Sequence, residues 1–172
     1  MKNIYLSLLL ILGLSTSKAQ SIFDAARSGD INQIETLVKS NPEAINSTNT
    51  MGFAPLVLAV YNNQIKATKF LIEKGATIDA QDGSGNTALM GAVFKNHQNM
   101  VELLLNKGAD PNIKNSQGQT ALAFAVSFNR VDLVKLLLNN NADKSIADQS
   151  GKIPLQIAEN RQNQTLINLL KD

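Results

Sequence analysis

The chain repeats itself with a period of 33 residues. Each copy begins with a glycine and carries a leucine and an alanine at the same two later positions. The glycines are Gly52, Gly85, Gly118 and Gly151, the leucines are Leu56, Leu89, Leu122 and Leu155, and the alanines are Ala59, Ala92, Ala125 and Ala158. A period of this length predicts a stack of similar units, none of which can bury its apolar face alone.

Each unit has the pattern of two short amphipathic helices followed by a polar turn. In the best-defined unit, apolar residues at helical spacing predict a first helix over 87–96 and a second over 98–107. Gly108 follows where a left-handed residue would end the second helix, as Gly75 does one unit earlier and Asn141 one unit later. We therefore predict an all-α solenoid of stacked helix-turn-helix units joined by β-turn or hairpin loops.

The motifs T-A-L-x-x-A-V, L-L-L-x-x-G-A-D-x-N and G-x-T, at this period, resemble the ankyrin repeat. The resemblance is close in 82–114 and 115–147 and good in 49–81. The segment 20–48 resembles a first repeat without its leading turn, and 148–172 resembles a shortened last repeat. The resemblance implies about five repeats and a protein-binding function, with partners contacting the turn tips and the concave face lined by first helices.

Two departures from the family pattern recur in all four aligned repeats. The histidine of the family's T-P-L-H motif is replaced by Val57, Met90, Ala123 and Gln156. The glycine that commonly ends the first helix is replaced by Asn63, Asn96, Asn129 and Gln162. These replacements imply less polar bonding between repeats and lower stability than in typical family members. His97 falls on the family's Gly-His position, which implies a structural histidine.

The first nineteen residues have the order of a secretory signal peptide. A basic start at Lys2 precedes an apolar run over 4–14 and a small-residue end at Ala19. We predict cleavage after Ala19, so that 20–172 is the mature repeat domain, located in the periplasm or secreted. The alternative is a retained membrane anchor, but eleven helical residues span only about 16 Å of a hydrocarbon core of about 30 Å.

The charge balance argues against nucleic acid or a membrane surface as the partner. The chain has 16 Lys and Arg against 14 Asp and Glu, and the two extra cations, Lys2 and Lys18, belong to the predicted signal peptide. The mature chain is thus formally neutral, without the clustered basic residues that polyanions require. We expect a monomer that binds neither nucleic acid nor, after cleavage, membrane.

The residues that catalysis and metal binding need are scarce. There is no cysteine and a single histidine, so thiolate chemistry, hydrolytic triads and zinc sites lack parts. A calcium loop beginning at Asp82 would need Gly and Glu where Thr87 and Val93 stand, and no Gly-Lys-Ser/Thr follows for a phosphate loop. The carboxylates of Asp79 and Asp82 sit at recurrent turn positions. We expect no cofactor, no metal and no enzyme activity.

Apolar residues at variable positions of the repeat predict where a partner binds. Aromatic side chains recur near the ends of the first helices and in the turn before the first full frame, at positions that the repeat does not need for its core. An exposed apolar stripe there would anchor a partner. We predict a surface lined by Met51, Phe53, Tyr61, Phe94 and Phe128, with Asn62, Lys95, Lys152 and Arg161 at its rim. The alternative is that these rings fold over neighbouring repeats and shield a thin core.

The sequence thus favours an exported, non-catalytic scaffold that presents a concave surface to a protein of the cell envelope or a secreted protein. Protection, inhibition and immunity against a toxin are roles that such a scaffold could have. The alternatives are a structural protein tethered by an uncleaved N-terminal anchor and, third, an enzyme.

Overall fold

The computed structural model describes residues 21–171, in which ten α-helices and one short 3-10 helix form a single stack without strands. The α-helices are α1 (Ile22–Ser28), α2 (Ile31–Ser40), α3 (Pro55–Tyr61), α4 (Ile65–Glu73), α5 (Ala88–Phe94), α6 (Gln98–Asn106), α7 (Ala121–Ser127), α8 (Val131–Leu138), α9 (Pro154–Asn160) and α10 (Gln164–Lys171). The 3-10 helix spans Pro42–Asn46. The prediction of an all-α solenoid is confirmed.

The helices are slightly shorter than the sequence pattern predicts. Thr87 is the N-cap of α5, and its hydroxyl accepts a hydrogen bond from the backbone N–H of Met90 at 3.4 Å. At the other end, Asn96 has a φ of 59°, which no right-handed helix can continue. The next helix starts at once, because His97 is the N-cap of α6. Each first helix therefore has about two turns.

Left-handed residues separate the helices as the repeat pattern predicts. The second helices of three repeats are followed by Gly75, Gly108 and Asn141, with φ values of 94°, 89° and 63°. The first helices are followed by Asn63, Asn96, Asn129 and Gln162, with φ values of 55°, 59°, 56° and 54°. A side chain in this region costs conformational energy that glycine avoids, and asparagine tolerates the region better than glutamine does.

The core lies between repeats, along the stacked first helices. Helices α1, α3, α5, α7 and α9 contact one another in that order, and each packs against the second helix of its own repeat. The recurrent alanines Ala59, Ala92, Ala125 and Ala158 are all 0% exposed, because a methyl group lets neighbouring helices approach closely. Leu155 is only half-buried, whereas its counterparts in the three preceding repeats are buried. Among residues 21–171, no further helix stacks on the outer side of the last repeat to cover it.

Side-chain oxygens shape the turns that join the repeats. Asp82 Oδ1 accepts the backbone N–H groups of Ser84 and Asn86 at 2.8 and 2.9 Å. Equivalent oxygens belong to Asn49, Asn115 and Asp148. Such side chains stabilise turns by imitating a backbone acceptor. The Asp82 carboxylate is therefore occupied by its own turn.

A second set of side chains, just after the second helices, bridges consecutive repeats. Asn46 accepts the backbone N–H of Thr77 and donates its amide to the carbonyl of Gly75. Two repeats further along, Asn112 makes the equivalent two bonds: it accepts the backbone N–H of Asp143 and donates its amide to the carbonyl of Asn141. The intervening position is Asp79, which accepts the N–H of Asp110 at 3.2 and 3.3 Å and, as a carboxylate, has no hydrogen to donate.

The predicted signal peptide, 1–19, lies outside the described residues. Within 21–171, none of the helices combines the length and the apolar character that crossing a bilayer requires.

Candidate protein-binding face

Five aromatic rings form a continuous line across three repeats, and we call this line the aromatic row. Its members are Phe53, Tyr61, Phe94, Phe124 and Phe128. Ring centroids are 6.4 Å apart between Phe53 and Tyr61, 6.4 Å between Tyr61 and Phe94, and 5.1 Å between Phe94 and Phe128, where the rings meet edge to face. Phe124 lies 5.9 Å from Phe128. These separations are those of attractive aromatic pairs.

The row follows directly from the 33-residue period. Tyr61 and Phe94 are the last residues of α3 and α5, and stacking these helices brings the two rings side by side. Phe128 is the C-cap of α7, one position further along its repeat, and its ring reaches back to Phe94. Phe53 precedes α3 and extends the row at the other end. The predicted set of four rings is thus brought together on the first-helix side.

Exposure divides the row into a surface part and a supporting part. Phe94 and Phe128 are 42% and 41% exposed, whereas Phe53 and Tyr61 are half-buried and pack against the core. The inner rings thus shield the core, as the second interpretation of the sequence expects, while the outer rings stand in solvent, and the binding role of the row stays a prediction. The positions of Phe53 and Tyr61 are used by the core, contrary to the expectation that the repeat does not need them there.

A glycine in the next repeat makes room for Tyr61. A Cβ atom added to Gly91, in the middle of α5, would lie 2.7 Å from the Cε2 atom of Tyr61 and 2.9 Å from its Cδ2 atom. The ring thus lies directly against the backbone of α5. Burial raises the pKa of the Tyr61 phenol, and the negative charge of Asp82 raises this pKa further.

Lys95 places a positive charge over one ring of the row, that of Tyr61. Its Nζ atom lies 5.4 Å from the centroid of the Tyr61 ring, within the range of a cation–π contact, and the side chain is exposed. Asn62, the residue at the same repeat position one unit earlier, is also exposed and donates its amide to the carbonyl of Leu58 at 2.8 Å. The row is therefore an apolar surface with a cation close to its centre.

The remaining predicted residues lie beyond the rings. Met51 is 61% exposed in the turn before α3. Lys152 and Arg161 are exposed in the last repeat, after the row has ended. In the described part of the chain, the cations stacked on rings are Lys95 and Lys74. Neither Lys152 nor Arg161 makes such a contact.

A groove of about 210 Å³ opens beside the inner end of the row. It is lined by Arg27, Phe53, Val57, Leu58, Tyr61 and Asn62. Sequence reasoning did not find Arg27, which forms an ion pair with Asp24 at 2.9 Å, because it belongs to the atypical first repeat. It also missed Phe124, although this ring occupies the repeat position that Gly91 has one unit earlier, and that variation was a usable signal.

His97 has a structural position. Its Nδ1 atom lies 3.4 Å from the carbonyl oxygen of Val60 in the preceding repeat, so the side chain joins two repeats. Among residues 21–171 there is no group of three or more histidine, cysteine or acidic side chains arranged to hold a metal ion.

Comparison with known proteins agrees with this geometry. A family model described as ankyrin repeats (3 copies) matches residues 22–115 and 108–172. Palmitoyltransferase akr1 of Schizosaccharomyces pombe is 36% identical over 63 residues, which cover 37% of this chain and 10% of that protein. The chain thus spans about a tenth of the length of that relative, and the likeness is confined to a repeat region.

Proposed function

The chain belongs to the ankyrin repeat family, and from that premise we propose that it is an exported, non-catalytic scaffold whose aromatic row docks a protein partner. Ankyrin repeats indicate a protein-interaction scaffold. The proposed partner is a protein of the cell envelope or a secreted protein. The scaffold would protect or inhibit that partner, and immunity against a toxin is one form of such inhibition.

The observation that carries the proposal is the contact between Phe94 and Phe128 in solvent. Two large rings, each more than two fifths exposed, pack against each other at 5.1 Å and continue into half-buried rings on one side. The contiguous apolar patches of soluble monomers are often sites of interaction. Aromatic side chains near the centre of an interface commonly supply most of the binding free energy.

The test is affinity capture from an envelope extract with three forms of residues 20–172. The first is the parent, and the second carries Phe94→Lys and Phe128→Lys. The third carries Asn106→Lys and Asn139→Lys, which add the same two charges at matching places on the second-helix side. Phe94 and Asn106 each end a helix, and Phe128 and Asn139 are each a C-cap. Circular dichroism checks that all three forms are folded.

The proposal expects a protein that the parent and the asparagine variant retain and that the phenylalanine variant loses. Loss of one good anchor typically costs about 2 kcal/mol, or more than tenfold in affinity, so two should abolish capture. Equal retention by all three forms would contradict the proposal and move the binding surface away from the row.

Export is a separate part of the proposal and rests on residues 1–19. N-terminal sequencing of the protein recovered from the cell envelope or medium tests it. Gln20 as the first residue is the expected result. Recovery of the intact chain in the membrane fraction would instead support the tethered alternative.

A further inference from the structure

We infer that the segment seated on the aromatic row is a partner peptide in which an acidic side chain, opposite Lys95, is flanked by large apolar side chains. This inference rests on the proposed function and names the chemistry of the partner. The supporting observation is the distribution of charged side chains along the row.

Lys95 has no acidic partner in the described part of the chain. The ion pairs within 21–171 join Arg27 to Asp24 and Lys39 to Glu35. The Lys95 ammonium instead lies over Tyr61, whose ring centroid is 6.4 Å from that of the exposed Phe94. Any molecule that covers these two rings therefore also removes water from an unneutralised cation.

The acidic residues nearest the row are already engaged or lie elsewhere. Asp24 is held by Arg27 and by the hydroxyl of Ser21. Asp82 lies close enough to influence Tyr61, but its oxygens accept hydrogen bonds within its own turn. Glu159 takes the position that valines fill with buried side chains in the preceding repeats, and it is exposed in the last repeat, beyond the end of the row.

The free-energy cost of burying the Lys95 ammonium favours a partner that carries a carboxylate. Burying an unpaired ammonium is strongly unfavourable, whereas a carboxylate at hydrogen-bonding distance offsets the loss of hydration. Residues on either side of that carboxylate would lie against rings, which favours apolar side chains over polar ones. The groove of about 210 Å³ beside Phe53 and Tyr61 can accept one such side chain at the inner end of the row.

A second copy of the chain fits this surface poorly. In a two-fold symmetric dimer the same patch faces itself, so the second copy would bring another Lys95 ammonium into the interface and, from Asp24 and Asp82, no free carboxylate to neutralise it. Like charges placed opposite each other in an interface are unfavourable. The surface is therefore complementary to an acidic, apolar segment and not to itself.

The experiment is selection from a random peptide library displayed on phage, with purified residues 20–172 as bait. Three baits are compared: the parent, Lys95→Glu and Lys74→Glu. Lys74 is the matched control, since its Nζ atom lies at the same 5.4 Å from the centroid of Phe70, but at the end of the second helix α4. The parent and Lys74→Glu should enrich peptides that have Asp or Glu between large apolar residues. With Lys95→Glu the acidic preference should disappear, and a parent-selected peptide should bind more than about tenfold more weakly.

The remaining outcomes separate the two levels of the argument. Enriched peptides that lack an acidic preference but still need Phe94 and Phe128 would overturn the inference and leave the proposed function standing. A parent that enriches no peptide above the bare support would overturn the inference, and the capture experiment with the Phe94→Lys and Phe128→Lys form would then decide the proposed function by itself. A concentration-dependent dimer in sedimentation, abolished by Phe94→Lys, would assign the row to a second copy and would also overturn the inference.

Discussion

Replacing Asp79 with asparagine should stabilise the protein at neutral pH. Asn46 and Asn112, at the corresponding positions of the neighbouring repeats, each accept one backbone N–H and donate an amide hydrogen to the carbonyl of a left-handed residue. Those donated bonds measure 3.2 and 3.0 Å. The carboxylate of Asp79 cannot make the equivalent bond to Gly108, and it also lies close to the negative charge of Asp110.

The expected gain follows from one added hydrogen bond. Such a bond contributes about 1 kcal/mol to the free energy of unfolding, which corresponds to a rise of about 3 °C in Tm for a domain of this size. Burial and, to a lesser degree, the nearby Asp110 raise the pKa of Asp79 in the folded protein. The protonated form therefore stabilises the fold at low pH, and this contribution is lost as the pH rises through the raised pKa. The advantage of asparagine should be largest at neutral pH and smaller in acid.

Urea denaturation of the parent and of Asp79→Asn at pH 7 and at about pH 4, near the ordinary aspartate pKa of about 3.9, measures both effects. Asp110→Asn is the control, because it removes the repulsion without providing a donor to Gly108, and it should recover less than half of the gain. Equal stability of the parent and Asp79→Asn at neutral pH would refute the hydrogen-bond reasoning. An equal gain at both pH values would refute the assigned role of protonation.

Three further predictions concern the turns and the row. Gly118→Ala should cost about 2 kcal/mol of unfolding free energy, because the φ of Gly118 is 73° and a Cβ would lie 2.8 Å from a backbone nitrogen of the next repeat. Gly108→Ala should cost only about 1 kcal/mol, because Gly108 has a φ of 89° but open space around it. Urea denaturation compares the two variants, and equal costs would contradict the assigned contact. Gln162→Gly should add about 1 kcal/mol to the free energy of unfolding and raise the Tm, because glycine avoids the strain of a glutamine in the left-handed region. An unchanged Tm would argue against strain at this position. Gly91→Ala should push the Tyr61 ring into solvent and so lower the pKa of its phenol. Spectrophotometric titration of residues 20–172, in which Tyr61 is the sole tyrosine, measures this pKa in the variant and in the parent. An unchanged pKa would contradict the packing of the ring on α5.

Much of the fold could be predicted because the period imposes it. A glycine, a leucine and an alanine in the same register of four repeats define the turn, the core and the close contact between first helices. The exact helix ends could not be predicted from the sequence. Lys95 is compatible with a helix, but α5 already ends at Phe94, because the left-handed Asn96 prevents the helix from continuing.

The sequence predicts where the rings of the candidate site lie, but not how far each ring is buried. The sequence places Tyr61 and Phe94 at one repeat position, so their proximity follows from stacking. How far each ring is buried depends on the residue opposite it. Tyr61 lies against α5 because Gly91 has no side chain, while Phe94 remains exposed. The pairing of Asp24 with Arg27, which leaves Lys95 as the unneutralised cation of the row, likewise depends on side-chain geometry.

The central claim, that a protein partner sits on the aromatic row, is tested most directly by photo-cross-linking. A photoreactive phenylalanine analogue replaces Phe128 in one form of the protein and Asn139 in another, and each form is illuminated in envelope extract. Both sites are exposed C-caps, so they differ mainly in the face on which they lie. The account expects one protein to become attached at position 128 and not at position 139. Attachment of the same protein at position 139, with none at 128, would contradict the account.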